Sequence, residues 1–105
     1  MQEPNAHIGF VAPDTFEKAL DLDTLLIHHP AATFYVKVEG NAMEKEGILV
    51  GDILIVDRAL TPKPQGFVVA IIEGEFRMQR WKELQKKPHI QVWGVVTYVI
   101  HKCAH

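Results

Sequence analysis

Apolar residues in the second half of the chain fall into short runs that are separated by turn residues. Asp52–Asp57 and Phe67–Ile72 are continuous runs rich in β-branched residues. Their length and composition favour buried strands over helices. Ile90–His101, rich in valine, predicts a longer strand in which Gly94 marks a candidate bulge. The pattern therefore predicts a mostly β fold.

The segments between these runs complete a pattern of strands and turns. Phe34–Val38 alternates apolar and polar residues over part of its length, which indicates a strand. Glu73-Gly74 predicts a tight hairpin turn into a strand over Glu75–Trp81. Thr61–Gly66 has the composition of a turn, and Lys82–Pro88 is interpreted as a polar connector.

Helical signals are confined to the N-terminal part of the chain. Residues 1–13 show no periodicity and predict a flexible arm, and residues 14–105 are interpreted as one domain. Asp14 and Glu17 have the spacing of a capping box, so a helix is expected to begin there. A second helical segment, Asp21–His28, should end before Pro30. Its leucines share one face, namely Leu22, Leu25 and Leu26.

The composition is that of an ordinary globular domain. The chain has 105 residues, 48% hydrophobic and 23% charged, with a net charge of −2. This charge does not attract the whole chain to nucleic acid, so DNA is expected to be met only indirectly, through a partner. Neither a membrane span nor a signal peptide is indicated, and the single Cys103 fits a reducing compartment. We therefore expect a cytoplasmic protein with no membrane association.

Three blocks of sequence resemble the LexA/UmuD serine peptidases, which use a Ser-Lys dyad. The first is Val38–Met43 (VEGNAM), the second is Gly47–Arg58 (GILVGDILIVDR), and the third is Gly74–Trp81 (GEFRMQRW). In this alignment the serine position of the family is Ala42 and the lysine position is Gln79. Their separation of 37 positions is the one expected between the two catalytic residues of the family.

The resemblance covers most of the chain. It begins near Gly9-Phe10, continues through Asp21–Thr33 (DLDTLLIHHPAAT), and ends with Trp93–Val96 (WGVV). It implies the β fold of the LexA/UmuD catalytic domain. The connector Lys82–His89 is shorter than in the family, so the edge of the sheet near it is expected to differ.

The two replaced positions remove the chemistry of the dyad. A serine hydroxyl needs a neighbouring base before it can attack a carbonyl, and a lysine serves only when its pKa is lowered from about 10.4. The methyl group of Ala42 is not a nucleophile, and the amide of Gln79 is not a base. We therefore expect no catalytic residues and no enzymatic activity.

Alternatives to natural loss of the dyad stay open. Ala42 could be an engineered replacement of the serine, although the second change at Gln79 favours natural loss. A substitute dyad would have to draw on other groups. The hydroxyl candidates are Thr33 and Thr97, the amine candidates are Lys37 and Lys45, and Arg80 should point away from the Gln79 face.

Other positions of the resemblance are expected to serve structure. Ile8-Gly9 occupies the place of the family's self-cleavage site, with only a short arm before it, so the chain resembles the processed, UmuD′-like form. The remaining motif residues are interpreted as turn and strand-end residues whose aspartates accept backbone or arginine hydrogen bonds; they are Gly40, Met43, Gly47, Gly51, Asp52, Asp57, Gly74 and Glu75. Neither a cofactor nor a metal site is indicated, because His28 and His29 lack other ligands at suitable spacing.

Three lysines form a basic cluster after Trp81, namely Lys82, Lys86 and Lys87. A basic cluster beside an aromatic residue is one way to contact nucleic acid. A solvated connector has the same composition, and the sequence pattern favours that interpretation.

The resemblance implies a function in binding. It suggests a catalytically inactive accessory subunit that forms a homodimer and then binds a Y-family, UmuC-like translesion polymerase and RecA filaments in the bacterial SOS response. The self-pairing surface is expected to include Val36–Val38 and Gln91–His101. The alternatives are a self-cleaving peptidase of the same family and a decoy that blocks UmuD-type subunits of a host.

Overall fold

The computed structural model describes residues 21–40, 43, 46–87 and 89–104. The predicted arm over residues 1–13 and the helix expected from Asp14 lie outside the described residues. The elements, in chain order, are helix α1 (Leu22–Leu26), a 3₁₀ turn (Pro30–Ala32), strands β1 (Thr33–Lys37), β2 (Ile53–Asp57), β3 (Phe67–Ile72) and β4 (Glu75–Arg80), helix α2 (Trp81–Leu84) and strand β5 (Gln91–Ile100).

Helix α1 is capped at its N-terminus by Asp21, the first residue of the predicted helical segment. Asp21 accepts hydrogen bonds from the backbone N–H of Thr24 at 3.3 Å and from its hydroxyl at 2.7 Å. The helix is shorter than the predicted Asp21–His28 and ends before Pro30, as expected. Leu22 and Leu25 are 51% and 52% exposed, so the predicted apolar face is not buried by the part of the chain that the structure describes.

The five strands form one antiparallel sheet in the order β1-β2-β5-β3-β4. This confirms the predicted mostly β fold. The two continuous apolar runs of the sequence, now β2 and β3, lie inside the sheet and hold most of its buried residues. Strands β1 and β4 are its edges.

Side chains on the two faces of the sheet form two separate clusters. One face holds Leu54, Val56 and Val69, and the other holds Val68 and Ala70. This division follows from the alternation of side chains along a strand. On the first face the centre of the Trp93 ring lies 5.3 Å from the centre of the Phe34 ring in β1 and 5.2 Å from the centre of the Phe76 ring in β4. Residues of both edge strands thus contact one tryptophan of a central strand, so the sheet is strongly curled.

The hairpin between β3 and β4 has the predicted turn. Ile72 pairs with Glu75, which leaves Glu73 and Gly74 as the two turn residues, with φ of 53° and 78°. Two positive φ values are the signature of a type I′ turn, whose twist matches that of antiparallel strands. This turn fixes the register that places Gln79 opposite Val68.

Strand β5 contains the expected irregularity at Gly94. Val69 pairs with Gly94 and Ala70 with Val92, so Trp93 is the extra residue of a bulge. A Cβ atom at Gly94 would lie 2.5 Å from Cγ1 of the buried Val56. The close packing of β2 against β5 therefore requires glycine at this position.

The prediction of a polar connector over Lys82–Pro88 is wrong in its first part. The chain forms α2, and Trp81 belongs to this helix instead of the preceding strand. Leu84 is only 2% exposed and packs with Val68 and Ala70, with Trp81 at the border of the same cluster. Burial of these two apolar side chains outweighs the polar composition around them. Within the described residues no helix is long and apolar enough to cross a membrane.

Candidate functional site

A cleft of about 680 Å³ lies between the two edges of the curled sheet. One side is formed by Val36–Gly40 at the end of β1 together with Met43, and the other side by Glu75–Gln79 of β4. Leu54 and Val69 of the inner strands complete its lining. The cleft exists because the sheet curls far enough to bring β1 and β4 close together without joining them by hydrogen bonds.

Met43 lines this cleft and also packs against the core. Gln79 lines it too, as part of the β4 edge, but its pairing with Val68 puts its side chain on the Val68 face of the sheet and not on the face of Leu54 and Val69. The structure therefore brings the lysine position of the resemblance and the neighbour of the serine position to one cleft. Ala42 itself lies outside the described residues, as does Lys45. The amide of Gln79 donates and accepts hydrogen bonds but does not take up a proton at neutral pH.

Hydroxyl groups are scarce in this molecule. The chain contains no serine. Thr33 donates its hydroxyl to the carbonyl of His29 at 2.7 Å, and Thr97 donates to the carbonyl of Ile55 at 3.2 Å. Neither lines the cleft, and none of its described lining residues carries a hydroxyl or a thiol. Cys103 is exposed beyond the end of β5.

Two basic side chains near the cleft differ in their surroundings. Lys37 lines it and is exposed. Arg80 forms an ion pair with Glu46 and lies 4.6 Å from the centre of the Phe67 ring, on the face opposite to Gln79, as predicted. The hydrogen bonds that Arg80 donates to the carboxylate of Glu46 raise the pKa of Arg80 further above its usual value, so this group stays charged.

Asp52 is buried directly before β2, with 2% of its surface exposed. One carboxylate oxygen accepts the backbone N–H of Leu49 at 2.9 Å, and the other lies 2.6 Å from Nδ1 of His101. The backbone hydrogen bond and then the contact with His101 hold the pKa of Asp52 below its usual value. Asp52 thus joins the turn before β2 to the segment after β5.

Asp57 has the same arrangement at the other end of β2, where it is 4% exposed. It accepts the backbone N–H of Ala59 at 2.8 Å, and its second oxygen lies 2.6 Å from Nδ1 of His29. Burial acts to raise the pKa of Asp57, but the hydrogen bonds from His29 and Ala59 outweigh it and leave the pKa below its usual value.

The predicted structural role of these aspartates therefore agrees with their backbone hydrogen bonds. The expected partners were backbone or arginine donors; both aspartates accept a backbone N–H, and each also contacts a histidine that the sequence analysis did not identify. His29 and His101 are separated from their aspartates by 28 and 49 positions. No local sequence signal could have identified these pairs, because they depend on the strand order.

The remaining motif residues occupy turns and edges. Gly40, Gly47, Gly51 and Gly74 all have positive φ, between 71° and 95°. Glu75 is exposed, pairs with Arg77 at 3.1 Å and lines the cleft. The vestigial cleavage pair Ile8-Gly9 lies outside the described residues. The part of the chain that the structure describes contains no cluster of three or more His, Cys, Asp or Glu side chains that could hold a metal ion.

The sequence of this chain matches one protein family and several known proteins. The family described as Peptidase S24-like matches residues 2–93. Protein ImpA of Salmonella typhimurium is 36% identical over 113 residues, which cover 90% of this chain and 77% of ImpA. Protein SamA of Salmonella typhimurium is 38% identical over 113 residues, covering 90% of this chain and 79% of SamA. Protein MucA of Escherichia coli is 34% identical over 111 residues, covering 86% of this chain and 75% of MucA.

The sequence blocks, the curled antiparallel sheet and these relatives agree with one another. This chain belongs to the Peptidase S24-like family, as a UmuD-like member of the LexA/UmuD group.

Proposed function

We propose that this protein is a catalytically inactive, UmuD′-like accessory subunit of an error-prone translesion DNA polymerase, and that it acts by binding other proteins in the SOS response. The observation that carries the proposal is the cleft. Gln79 stands at its lysine position, its described lining has no hydroxyl or thiol, and the chain has no serine.

A serine peptidase needs both a nucleophile and a base that activates it. Removal of the nucleophile from a serine peptidase costs on the order of 10⁶ in rate. Here the base is replaced as well, so a hydroxyl from elsewhere would also lack an activating partner in the family's position. A family member with this cleft retains a surface for recognition without the groups for hydrolysis.

The end of β5 supports the proposal that the protein is a homodimer. Strand β3 pairs with β5 only as far as Val96, whereas β2 pairs with it as far as Ile100. Among the described strands none pairs with one edge of the last residues of β5, where Tyr98, Val99 and Ile100 are exposed. Antiparallel pairing of this edge with its copy would create a symmetric interface.

The further partners are inferred from membership of the UmuD-like group. A Y-family, UmuC-like polymerase would bind the dimer in the cytoplasm, and RecA filaments would bring both to damaged DNA. A pull-down with such a polymerase, after nuclease treatment, should retain this protein, and sizing chromatography should show one joint peak. If this protein binds UmuD-type subunits of a host but is not retained by the polymerase, the result would instead support the function as a decoy.

Inactivity is tested by mass. The purified chain is incubated at alkaline pH, where a peptidase amine would be neutral, and is weighed by mass spectrometry over time. The expected result is an unchanged mass. Loss of residues 1–8 by cleavage between Ile8 and Gly9 would contradict the proposal. The Lys37→Ala variant then shows whether the lysine that lines the cleft has become the base, because cleavage through Lys37 would stop in that variant.

A further inference from the structure

The segment that follows β4 is strongly basic, although the whole chain is not. Between Arg80 and His89 the sequence has four basic residues and one acidic residue, while the net charge of the chain is −2. Local charge of this kind creates a positive potential that the net charge conceals. The sequence alone left open whether these lysines contact nucleic acid or only solvate a connector.

The structure places these three lysines on α2 and on the tight turns that directly follow it. The N–H of Gln85 bonds the carbonyl of Trp81 at 3.0 Å, and the N–H of Lys87 bonds that of Leu84 at 2.9 Å. The chain thus continues in tight turns beyond the end of α2. Lys82 and Lys86, four residues apart, therefore lie on the same side, with Lys87 next to them.

A fourth lysine comes from another part of the chain. The N–H of Trp81 bonds the carbonyl of Gly66 at 3.0 Å, and the N–H of Gly66 bonds that of Lys63 at 2.9 Å. The turn before β3 is thereby held against the start of α2. We name Lys63, Lys82, Lys86 and Lys87 the α2 basic patch. All four are exposed, and none lies within 4.0 Å of a carboxylate among the described residues.

The chemistry of the patch points to a polyanion and not to a protein surface. The apolar side chains of α2 face the core, where Leu84 is 2% exposed and Trp81 packs in the same cluster. The outer side offers ammonium groups without the apolar anchor that protein interfaces require. Lysine acts as a flexible point charge that suits phosphate groups without reading bases.

We propose that the α2 basic patch binds the phosphate backbone of DNA without sequence preference. This changes the expectation that DNA is met only through a partner, and it does not rest on the absence of peptidase activity. It would hold the subunit close to the template while another surface binds the polymerase.

The expected binding is weak and strongly dependent on salt. Neutralisation of about three to four phosphates gives a slope of about −0.9 per phosphate on duplex DNA, so affinity should fall roughly 40- to 150-fold between about 50 mM and about 200 mM salt. On single strands the dependence should be shallower, because the slope is about −0.7 per phosphate.

The test uses the full chain and fluorescein-labelled duplex and single-stranded oligonucleotides, with binding measured by fluorescence anisotropy. The variant Lys82→Gln/Lys86→Gln/Lys87→Gln should bind at least about tenfold more weakly at the lower salt and show a smaller salt slope. The control variant Lys37→Gln/Arg77→Gln/Lys102→Gln removes three charges from exposed positions outside the patch and should bind as the wild type does. Circular dichroism and sizing chromatography establish that each variant keeps its fold and oligomeric state.

Three results would overturn the proposal. They are no binding at the lower salt, an equal loss in both triple variants, and competition by poly-glutamate as strong as that by unlabelled DNA. The polymerase pull-down after nuclease treatment is independent of all three, so failure of DNA binding and failure of the accessory role are distinguishable.

Discussion

At the scale of single residues, the carboxylates at the two ends of β2 are the polar groups most deeply placed among the residues described. Burial of a charge is costly unless its oxygens have partners. In Asp52 and in Asp57 one oxygen accepts a backbone N–H and the other contacts a histidine. Each aspartate therefore connects a turn to a distant segment, and these partners offset the cost of burying its charge.

These carboxylates predict how stability depends on pH. The pKa values of Asp52 and Asp57 lie below the ordinary 3.8 in the folded protein. The unfolded chain therefore takes up protons first, and the stability that these groups add above pH 3.8 is lost as the pH falls through the lower folded pKa values. Urea unfolding from about pH 6 to about pH 2 should show a falling midpoint.

The Asp57→Asn variant identifies the source of this dependence. It should be less stable than the wild type at neutral pH and should lose less stability on acidification, because the buried carboxylate is absent. Asp23→Asn, which changes an exposed carboxylate of α1, serves as the control and should behave as the wild type does. Parallel curves for Asp57→Asn and the wild type would show that the carboxylate of Asp57 does not titrate in this way.

At the scale of elements, α2 shows how a few contacts override local composition. Its segment is polar apart from Trp81 and Leu84, and propensity over so short a stretch is a weak predictor. The helix forms because it places these two side chains on the β3 face beside Val68 and Ala70. A four-residue helix has little stability of its own, so its structure depends on this packing.

The Leu84→Ala variant should lower the free energy of unfolding by roughly 2 to 4 kcal/mol, because it removes buried methyl groups and leaves a cavity. Glu83→Ala, on the exposed side of the same turn, should change it by no more than about 0.5 kcal/mol. Urea denaturation followed by tryptophan fluorescence measures both. Equal effects of the two substitutions would mean that the contacts of Leu84 with β3 do not hold α2 in place.

At the scale of the whole molecule, the curled sheet leaves two edges and one open strand end. The edges of β1 and β4 face each other across the cleft, whereas β5 extends beyond β3 at its C-terminal end. The predicted self-pairing surface, Val36–Val38 and Gln91–His101, stays a prediction. For pairing by backbone hydrogen bonds, the part of β5 that qualifies is its C-terminal end, because the rest of β5 is paired on both sides.

The proposed dimer predicts the effect of charges at this strand end. Tyr98→Glu/Ile100→Glu should convert the dimer to a monomer, because like charges would meet across the symmetric interface and the apolar contact would be lost. Light scattering after sizing chromatography measures the mass. Leu22→Glu/Leu25→Glu is the matched control, since these leucines of α1 are 51% and 52% exposed and Tyr98 and Ile100 are each 42% exposed. A monomeric wild type, or a double variant at β5 that stays dimeric, would contradict this interface.

Much of the fold was predictable because its signals are local. The two apolar runs form β2 and β3, as predicted. Glu73 and Gly74 form the predicted hairpin turn, whose type requires positive φ at both of its central residues. The position of Gln79 followed from the family motif and from the register of this hairpin. The histidine partners of the aspartates and the helix at Trp81 were not predictable, because they depend on residues far away in the chain.

The mostly β fold and the membership of the family could be predicted from residue identity and short-range spacing, and the same is true of Ala42 and Gln79 as the residues at the two dyad positions of the resemblance. Three features emerge only in the folded chain: β1 and β4 enclose a cleft, His29 and His101 contact their aspartates, and the turn before β3 brings Lys63 to α2. The physical reason is that these contacts arise from strand order and sheet curvature, which result from packing the whole chain around its core.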